Sequence, residues 1–392
     1  MRSVELFAGA GGLAIGMANA GFHHAAVIEW DHDSCATFRE NQGRHVNAVE
    51  AWPLHEVDVR AFDYKPLEGK VMVVSGGPPC QPFSLGGKHR GYMDKRDMFP
   101  EAVRAVRELQ PEAFIFENVK GLMRETFSDY FEHIYLQLTH PGLTSRKGES
   151  WHEHRARLEK HHTWRKTRAE YNVVYRILNA ADYGVPQRRE RVFMVGFRSD
   201  LGIEWSFPDE THSEDSLLYS QWVSGDYWDA HKVARRKRPA PSGRAAARAD
   251  KLRKNWEPEK AGLPWMTVRD AIGDLPDPEK FGQSSVANHK LNPGARAYPG
   301  HTGSPLDEAA KTLKAGDHGV PGGENMLARA DGSVRYFTVR EAARLQTFPD
   351  DYIFRGSWTE TMRQLGNAVP VKLAEVVARS VAKTLRAARR RA

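Results

Sequence analysis

Strand-length apolar runs alternate with helical segments over residues 4–198, and this alternation limits the possible folds more than any other feature of the chain. The strand-like runs lie at residues 4–7, 25–29, 71–75, 113–117, 173–178 and 191–197. One intervening segment starts at Asp97 and then places Val103, Val106 and Leu109 at three-residue steps, which is typical of an amphipathic helix. Such alternation predicts an α/β fold with a doubly wound, mostly parallel sheet.

The alternation is interrupted at two places. Residues 139–170 are polar and rich in His, Arg and Trp without a sustained apolar face, so we interpret them as an insertion that contributes no core element. The histidines there lack paired cysteines or a His-Glu-x-x-His helix, which favours a solvent-facing cluster over a metal site. Residues 199–337 predict a smaller, irregular second domain, and residues 338–392 a return to the first domain, 1–198.

Composition narrows the class of protein. The 392 residues are sufficient for two domains, and the net charge of +7 is uneven, with basic runs at residues 235–238 and 389–391. These runs indicate a polyanionic partner, although basic runs alone are often solvated linkers. There is no signal-like or membrane-length apolar run, and two cysteines cannot build a disulfide framework or a zinc ribbon. We therefore expect a soluble, cytoplasmic protein that binds neither metal nor membrane.

A single thiol lies in an unusual setting. Cys80 lies on a loop that directly follows the apolar run 71–74. This loop has two glycines and three prolines within residues 76–84. Prolines restrict the loop, and a parallel strand of this kind ends at the sheet edge where ligands bind. Free cysteines are commonly buried in cores, but a core thiol does not require such a loop. The pattern favours a nucleophile.

A second loop indicates a nucleoside ligand. Residues 9–14 fit the pattern G-x-G-x-x-A after a strand and before a helix, and Glu29 follows about 20 residues later, as in dinucleotide-binding proteins. A nicotinamide enzyme is therefore one interpretation. S-adenosylmethionine shares the adenine and ribose, and the acidic strand end Glu29-Trp30-Asp31 suits it, because a carboxylate can bind both ribose hydroxyls while an indole packs on adenine.

Six ordered motifs, spanning residues 3–198 and 338–380, resemble those of the cytosine-C5 DNA methyltransferases. They are Glu5-Leu6-Phe7-Ala8-Gly9-Ala10-Gly11-Gly12-Leu13, Pro78-Pro79-Cys80-Gln81-Pro82-Phe83-Ser84, Glu117-Asn118-Val119, Gln187-Arg188-Arg189-Glu190-Arg191-Val192, Arg340-Glu341-Ala342-Ala343-Arg344-Leu345-Gln346-Thr347-Phe348-Pro349 and Gly366-Asn367-Ala368-Val369-Pro370. The resemblance implies a methyltransferase fold in which the second domain recognises the target.

The resemblance also assigns the catalytic residues. Cys80 would attack carbon 6 of cytosine, and Glu117 would contact ring nitrogen 3 and the exocyclic amine. Arg189 and Arg191 alternate at the start of a predicted strand, so both should point to one face, near oxygen 2 of the base. The resemblance does not identify the base that removes the carbon 5 hydrogen.

The cofactor implied is S-adenosylmethionine. The family pattern places Glu29 at the ribose, Phe7 and Trp30 at adenine, Asp58 at the adenine amino group and Asn367 at the methionine end. The remaining cofactor-binding positions are Gly9, Gly11, Gly12 and Pro78.

The partner implied is double-stranded DNA, because a base inside a duplex must be flipped out before a thiol can reach it. The expected DNA contacts are Ser84, Lys88 and Arg90 in the loop after Cys80, and Thr312 and Leu313 in the second domain. A restriction endonuclease acting on the same site is a further expected partner. Two alternatives to the DNA enzyme stay open, namely an enzyme that modifies tRNA with the same chemistry and a DNA-binding relative without catalysis.

Overall fold

The computed structural model describes residues 1–44, 46–79, 97–164, 169–241, 243–280, 285–316 and 325–390. The chain forms two compact units. The first contains Met1–Leu178, Glu190–Pro208 and Asp351–Ala392, and the second contains Asn179–Arg189 and Asp209–Asp350. The second unit therefore includes residues 179–189 and 338–350, which the sequence interpretation placed in the first domain.

The first unit is built on a seven-stranded sheet with the order β3-β2-β1-β4-β5-β7-β6. Its strands are β1 (Arg2–Leu6), β2 (His23–Glu29), β3 (Leu54–Glu56), β4 (Val73–Gly76), β5 (Ala113–Val119), β6 (Tyr171–Asn179) and β7 (Glu190–Arg198). The pairs from β3 to β5 are parallel, and β7 runs antiparallel to β5. The predicted α/β fold with a mostly parallel sheet is confirmed. The edge strand β3 was not predicted, because three residues carry too little periodicity.

The longer helices of the first unit are α1 (Gly12–Asn19), α2 (His32–Gly43), α3 (Phe99–Leu109), α4 (Ser128–Thr139), α5 (Trp151–Thr163), α11 (Trp358–Asn367) and α12 (Val371–Arg389). Val103, Val106 and Leu109 of α3 are buried, as the three-residue spacing predicted. A Cβ on Gly16 of α1 would lie 2.5 Å from the Cβ of Ala374, so the glycine permits close contact between α1 and α12.

The strand order reverses at β1 and β4. The chain proceeds from β1 outward to β2 and β3 on one side, and then from β4 to β5 on the other. Ligands of open α/β sheets bind beyond the carboxyl ends of the strands at such a switch point. A Cβ on Gly76, the last residue of β4, would lie 2.6 Å from the carbonyl oxygen of Leu6, so only glycine fits beside the end of β1.

The polar segment 139–170 contains the ordered helix α5, so the interpretation that it lacks a core element is wrong. Ser150 and Glu153 form a capping box at the start of α5. His154 and Leu158 of this helix are buried, and His154 Nδ1 lies 3.2 Å from Nε2 of His133 on α4. His140 is also buried, although a solvent-facing cluster was expected. His154 can form part of this face because the His133 ring and the Leu143 carbonyl lie within hydrogen-bond distance of its two nitrogens.

Acidification is expected to loosen α5. Burial, reinforced by neighbouring positive groups, lowers the pKa of His133 to about 3 and that of His140 to about 4. At pH values above the ordinary histidine pKa of about 6.5, a buried neutral histidine stabilises the packing of α5 on its neighbours. This stabilisation is lost as the pH falls from about 6.5 toward the lowered pKa. Hydrogen exchange of the α5 amides, corrected for intrinsic rates, should accelerate between pH 7.5 and pH 5 relative to α12. Equal protection of both helices across this range would refute the expectation.

The second unit is small and irregular in its described part. Its strands are β8 (His212–Ser213), β9 (Leu263–Pro264), β10 (Ser304–Pro305), β11 (Met326–Ala328) and β12 (Val334–Tyr336). Its helices are α6 (Glu214–Tyr219), α7 (Asp226–Ala230), α8 (Gly243–Asn255), α9 (Val268–Ile272) and α10 (Val339–Leu345). A buried bidentate ion pair joins Arg335 on β12 to Glu341 on α10, and Glu341 also completes a capping box with Thr338. These bonds fix α10 within the second unit.

Among the described helices of both units, none combines the length and the apolar character that a bilayer crossing requires.

Candidate active site

A cavity of about 550 Å³ opens at the carboxyl ends of β1, β2, β4 and β5, and all its walls belong to the first unit. Most of the predicted cofactor residues and two of the predicted catalytic residues line it. These residues are Phe7, Gly9, Gly12, Glu29, Trp30, Asp58, Pro78, Glu117, Arg191 and Asn367. Motifs far apart in the chain therefore meet at the switch point of the sheet.

Glu29 organises one end of the cavity. Its carboxylate accepts hydrogen bonds from the backbone N–H groups of Gly9 (2.6 Å), Trp30 (2.9 Å) and Asp31 (2.8 Å). Burial raises the pKa of Glu29 while these three donors oppose the shift. The carboxylate thereby ties the turn after β2 to the glycine loop, and a carboxylate has about four acceptor sites, so it can still bind a hydroxyl group.

The glycines explain how the loop joins the distant motif 366–370. A Cβ on Gly12 would lie 2.1 Å from the carbonyl oxygen of Val369, so a side chain there would collide with that motif. Gly11 has a φ of 90°, and a Cβ there would lie 2.9 Å from the ring of Phe38. Gly11 itself therefore supports the loop from behind, outside the residues that line the cavity. Through this packing Asn367, which is exposed, reaches the cavity wall.

An aromatic and charged wall lies beside Glu29. Trp30 is 71% exposed, so it does not pack in the core, and Phe7 adds a second ring. The Asp58 carboxylate pairs with Arg60, whose Nε lies 3.0 Å from both carboxylate oxygens. This pairing lowers the pKa of Asp58. Asp58 therefore presents a fixed negative charge to the cavity.

Glu117 and Arg191 form an ion pair at the other end of the cavity. The Nε of Arg191 lies 2.9 Å from Oε1 of Glu117, and their side chains are only 12% and 9% exposed. The antiparallel pairing of β5 and β7 produces this contact. Arg191 is opposite Val119, which lies two residues from Glu117 and on the same face of β5. Burial lowers the pKa of the Arg191 guanidinium, and the adjacent carboxylate opposes that shift. A buried ion pair that faces a cavity offers charged groups that can contact a polar ring.

Described residues on both sides of the segment that carries Cys80 line this cavity. The Asn118 side chain donates a hydrogen bond to the Pro78 carbonyl (2.8 Å), and the N–H of Met98 donates to the Pro79 carbonyl (3.1 Å). Pro79, which is bonded to Cys80, and Met98 both line the cavity. Cys80, Ser84, Lys88 and Arg90 themselves lie outside the described residues.

The sequence profile of the family described as C-5 cytosine-specific DNA methylase matches residues 1–145 and 165–383. The chain belongs to this family. The family prediction made from the motifs, and with it the class of DNA cytosine-5 methyltransferase, is confirmed. The residues that the profile leaves unmatched, 146–164, include all of α5, so that helix is an addition to the family pattern.

Characterised relatives are similar to this protein over nearly the whole chain. The Type II methyltransferase M.NgoMIV of Neisseria gonorrhoeae is 31% identical over 98% of both proteins. M.PspPI of Psychrobacter is 32% identical over 98% of this chain and 80% of its own length.

Solved structures share the fold at lower identity. A putative DNA modification methyltransferase from an E. coli prophage aligns with a TM-score of 0.56, 22% identity and coverage of 98% and 99%. Dnmt2 of S. pombe aligns with a TM-score of 0.55, 17% identity and 99% coverage of each chain.

Arg189 does not join Arg191 in this methylase. Strand β7 begins at Glu190, so Arg189 precedes the strand and the expected two-residue alternation does not apply to it. Arg189 belongs to the second unit, is fully buried and donates from Nη1 to the Leu313 carbonyl (2.9 Å). The expectation that both arginines share one face is wrong, and Arg191 alone lines the cavity.

The predicted DNA contacts Thr312 and Leu313 hold the second unit of the methylase together. The Thr312 hydroxyl donates to the Arg188 carbonyl (2.7 Å), and the Leu313 N–H donates to Oε1 of Gln187 (2.9 Å). Leu313 is 1% exposed, so its side chain offers little surface to a ligand. The motif 187–192 is therefore bonded to the segment 312–313, and DNA contact by Thr312 and Leu313 stays a prediction.

Two arginines of the methylase cavity were missed. Arg60 lines the wall beside Asp58, and Arg363 on α11 lines it near Asp31, with its Nη2 2.7 Å from Oδ2 of Asp31. Arg363 precedes the motif 366–370 by three residues, which puts it on the same face of α11 as Gly366 and was the available signal. Across the described ranges, no group of three or more His, Cys, Asp or Glu side chains is arranged to hold a metal ion.

Proposed function

We propose that the chain transfers a methyl group from S-adenosylmethionine to carbon 5 of a flipped cytosine in a specific duplex DNA sequence, through a covalent adduct of Cys80. One observation carries the proposal. One and the same cavity is lined by Glu29, whose carboxylate suits a ribose, by the Glu117–Arg191 pair and by Pro79, the neighbour of Cys80. A cofactor and a base bound in this cavity would meet beside the thiol.

The residues fit S-adenosylmethionine better than a dinucleotide. A dinucleotide needs the start of α1 free for its pyrophosphate. Here the Val369 carbonyl packs against Gly12 at the start of α1, and a carbonyl oxygen repels phosphate. Glu29 would hold the ribose hydroxyls, Trp30 and Phe7 the adenine, and Asn367 the methionine end. When bound, S-adenosylmethionine supplies a methyl group on a positively charged sulfur.

The chain's own residues account for the chemistry at the base. The Cys80 thiolate adds to carbon 6, which makes carbon 5 electron-rich enough to take the methyl group. Glu117 would face ring nitrogen 3 and the exocyclic amine, where negative charge develops, with Arg191 fixing its carboxyl group and reaching oxygen 2. Loss of the carbon 5 proton then expels the thiolate and restores the aromatic ring.

Restriction-modification is the biological setting we infer. The relatives named above are Type II methyltransferases. In a restriction-modification system, the methyltransferase protects the DNA of the host cell from the cognate endonuclease. We therefore propose a partner endonuclease that cuts the same site, and action at the nucleoid.

The test is to express the chain in a host without cytosine methylation and to map 5-methylcytosine by bisulfite sequencing. Methylation confined to one short sequence is the expected result. Labelled methyl transfer should also be measured on duplex DNA and on tRNA side by side. Transfer to tRNA alone would replace the proposal with the RNA-modifying alternative, and transfer to neither would reject it.

Loss of the Glu29 charge should weaken cofactor binding. In Glu29→Gln the amide lacks the charge and half of the acceptor oxygens that hold the glycine loop. We expect the Kd for S-adenosylmethionine to rise about 10- to 100-fold, the usual effect of losing charged hydrogen bonds. Isothermal titration calorimetry measures it, with the exposed Glu68→Gln as a control. Equal affinities in the two variants would remove Glu29 from the cofactor site.

A further inference from the structure

The segment 57–60 forms a wall of the cavity without a regular element to support it. Val57, Asp58, Val59 and Arg60 all line the cavity. The segment follows β3, a three-residue strand at the edge of the sheet, and then makes a single 3₁₀ turn over Val59–Ala61. Edge strands this short contribute few hydrogen bonds. The N–H of Val57 still donates to the Glu29 carbonyl (2.9 Å). Beyond Val57, the position of this wall depends on contacts from another part of the fold.

Arg104 on α3 supplies that support. Its Nη2 donates to the carbonyl of Val59 (2.7 Å), and its Nη1 donates to the carbonyl of Phe62 (3.3 Å). These two carbonyls flank the turn that carries Arg60. One guanidinium thus holds both ends of the turn behind the cavity wall, and it reaches the wall through backbone carbonyls alone.

The guanidinium is itself held in place. Its Nε lies 2.6 Å from Glu101, its Nη1 lies 3.2 Å from Glu108, and it stacks over the buried ring of Tyr64 at 4.7 Å from the ring centre. The Arg104 side chain is only 19% exposed. A planar fork with five donors can serve two carbonyls and two carboxylates together, whereas a lysine ammonium has three donors on a flexible stem.

We propose that Arg104 is a positioning residue for the adenosine end of the cofactor, acting through the backbone of residues 59–62. The inference rests on the proposed function, since it assumes that this wall receives adenosine. Arg104 does not line the cavity, so its effect is indirect. It sets the positions of Val59 and the Asp58–Arg60 pair, while the Glu117–Arg191 pair lies at the other end of the cavity.

The helix offers a matched control. Arg107 lies three residues further along α3, where it forms a 3.7 Å ion pair with Glu108. Within the described part of the chain it makes no hydrogen bond to the segment 57–62. Arg104→Met and Arg107→Met each remove one charge and keep an apolar stem. Arg104→Lys keeps the charge but not the fork.

The experiment measures the Kd of the full chain for S-adenosylmethionine and for S-adenosylhomocysteine, together with kcat on duplex DNA at saturating cofactor. For Arg104→Met we expect both Kd values to rise about 10-fold, because two hydrogen bonds are lost, while kcat stays within about twofold of the wild type. The Kd values of Arg104→Lys should lie between those of the wild type and of Arg104→Met. Arg107→Met should match the wild type. Hydrogen exchange at Ala61 and Phe62, whose N–H groups close the turn, should accelerate only in the Arg104 variants.

Equal Kd values in Arg104→Met and Arg107→Met would overturn the inference, and so would a fall in kcat at unchanged Kd. If Arg104→Met does not fold, Arg104→Lys decides the question by the same comparison. Failure of the wild type to bind either cofactor form would instead reject the proposed function, which separates the two claims.

Discussion

Glu117→Gln is expected to lower the rate of methyl transfer about 100- to 1,000-fold while leaving the Kd for S-adenosylmethionine within about twofold of the wild type. The amide keeps the volume of the side chain but can neither pair ionically with Arg191 nor exchange a proton with the base. Because Glu117 lies at the end of the cavity away from Glu29, only the chemical step should suffer. Single-turnover transfer of labelled methyl groups to duplex DNA measures this rate.

The control for that variant is Glu125→Gln, an exposed glutamate a few residues further along the chain. It should retain the wild-type rate. A Glu117→Gln enzyme within tenfold of the wild type would mean that the ion pair only supports the fold, and that another group balances the charge that develops on the ring.

Cys80→Ala is expected to abolish transfer, with a loss of at least about 10,000-fold, because no other group can make the covalent bond to carbon 6. The chain has two cysteines, so Cys35→Ala is the matched control. Cys35 is buried, with its Sγ 3.6 Å from the Glu29 carbonyl, and burial raises the pKa of its thiol to about 12. It is therefore a protonated core thiol and not a nucleophile.

Methyl transfer to DNA should thus survive in Cys35→Ala and disappear in Cys80→Ala. Turnover by Cys80→Ala with an intact fold would show that carbon 5 is methylated without the adduct.

Elements with strong local signals could be predicted from the sequence. The buried runs that became β4 and β5 and the spacing that became α3 are long and apolar enough to define a doubly wound sheet. The strand β3 and the helix α5 lacked that signal, because one is three residues long and the other buries histidines. The buried rings of His133 and His154 hydrogen-bond each other across two helices, and sequence spacing does not show such pairing.

The candidate site was predicted through motifs, and its connections came from the structure. Glu117 and Arg191 were each identified singly, but their contact depends on the antiparallel register of two strands more than seventy residues apart. Arg189 was misplaced because one residue decides whether a side chain belongs to a strand or to the loop before it. Arg104 carried no motif at all, since its role depends on backbone carbonyls brought close by tertiary packing.

Covalent trapping tests the central claim most directly. Once the methylated sequence is known, a duplex with 5-fluorocytosine at the target position should be incubated with the protein and S-adenosylmethionine, because the fluorine cannot leave as a proton does and the adduct persists. The expected result is a stable protein–DNA complex whose digested peptide joins the modified base to Cys80. Formation of 5-methylcytosine on the normal duplex without any trapped complex on the fluorinated one, or an adduct at another residue, would contradict the account.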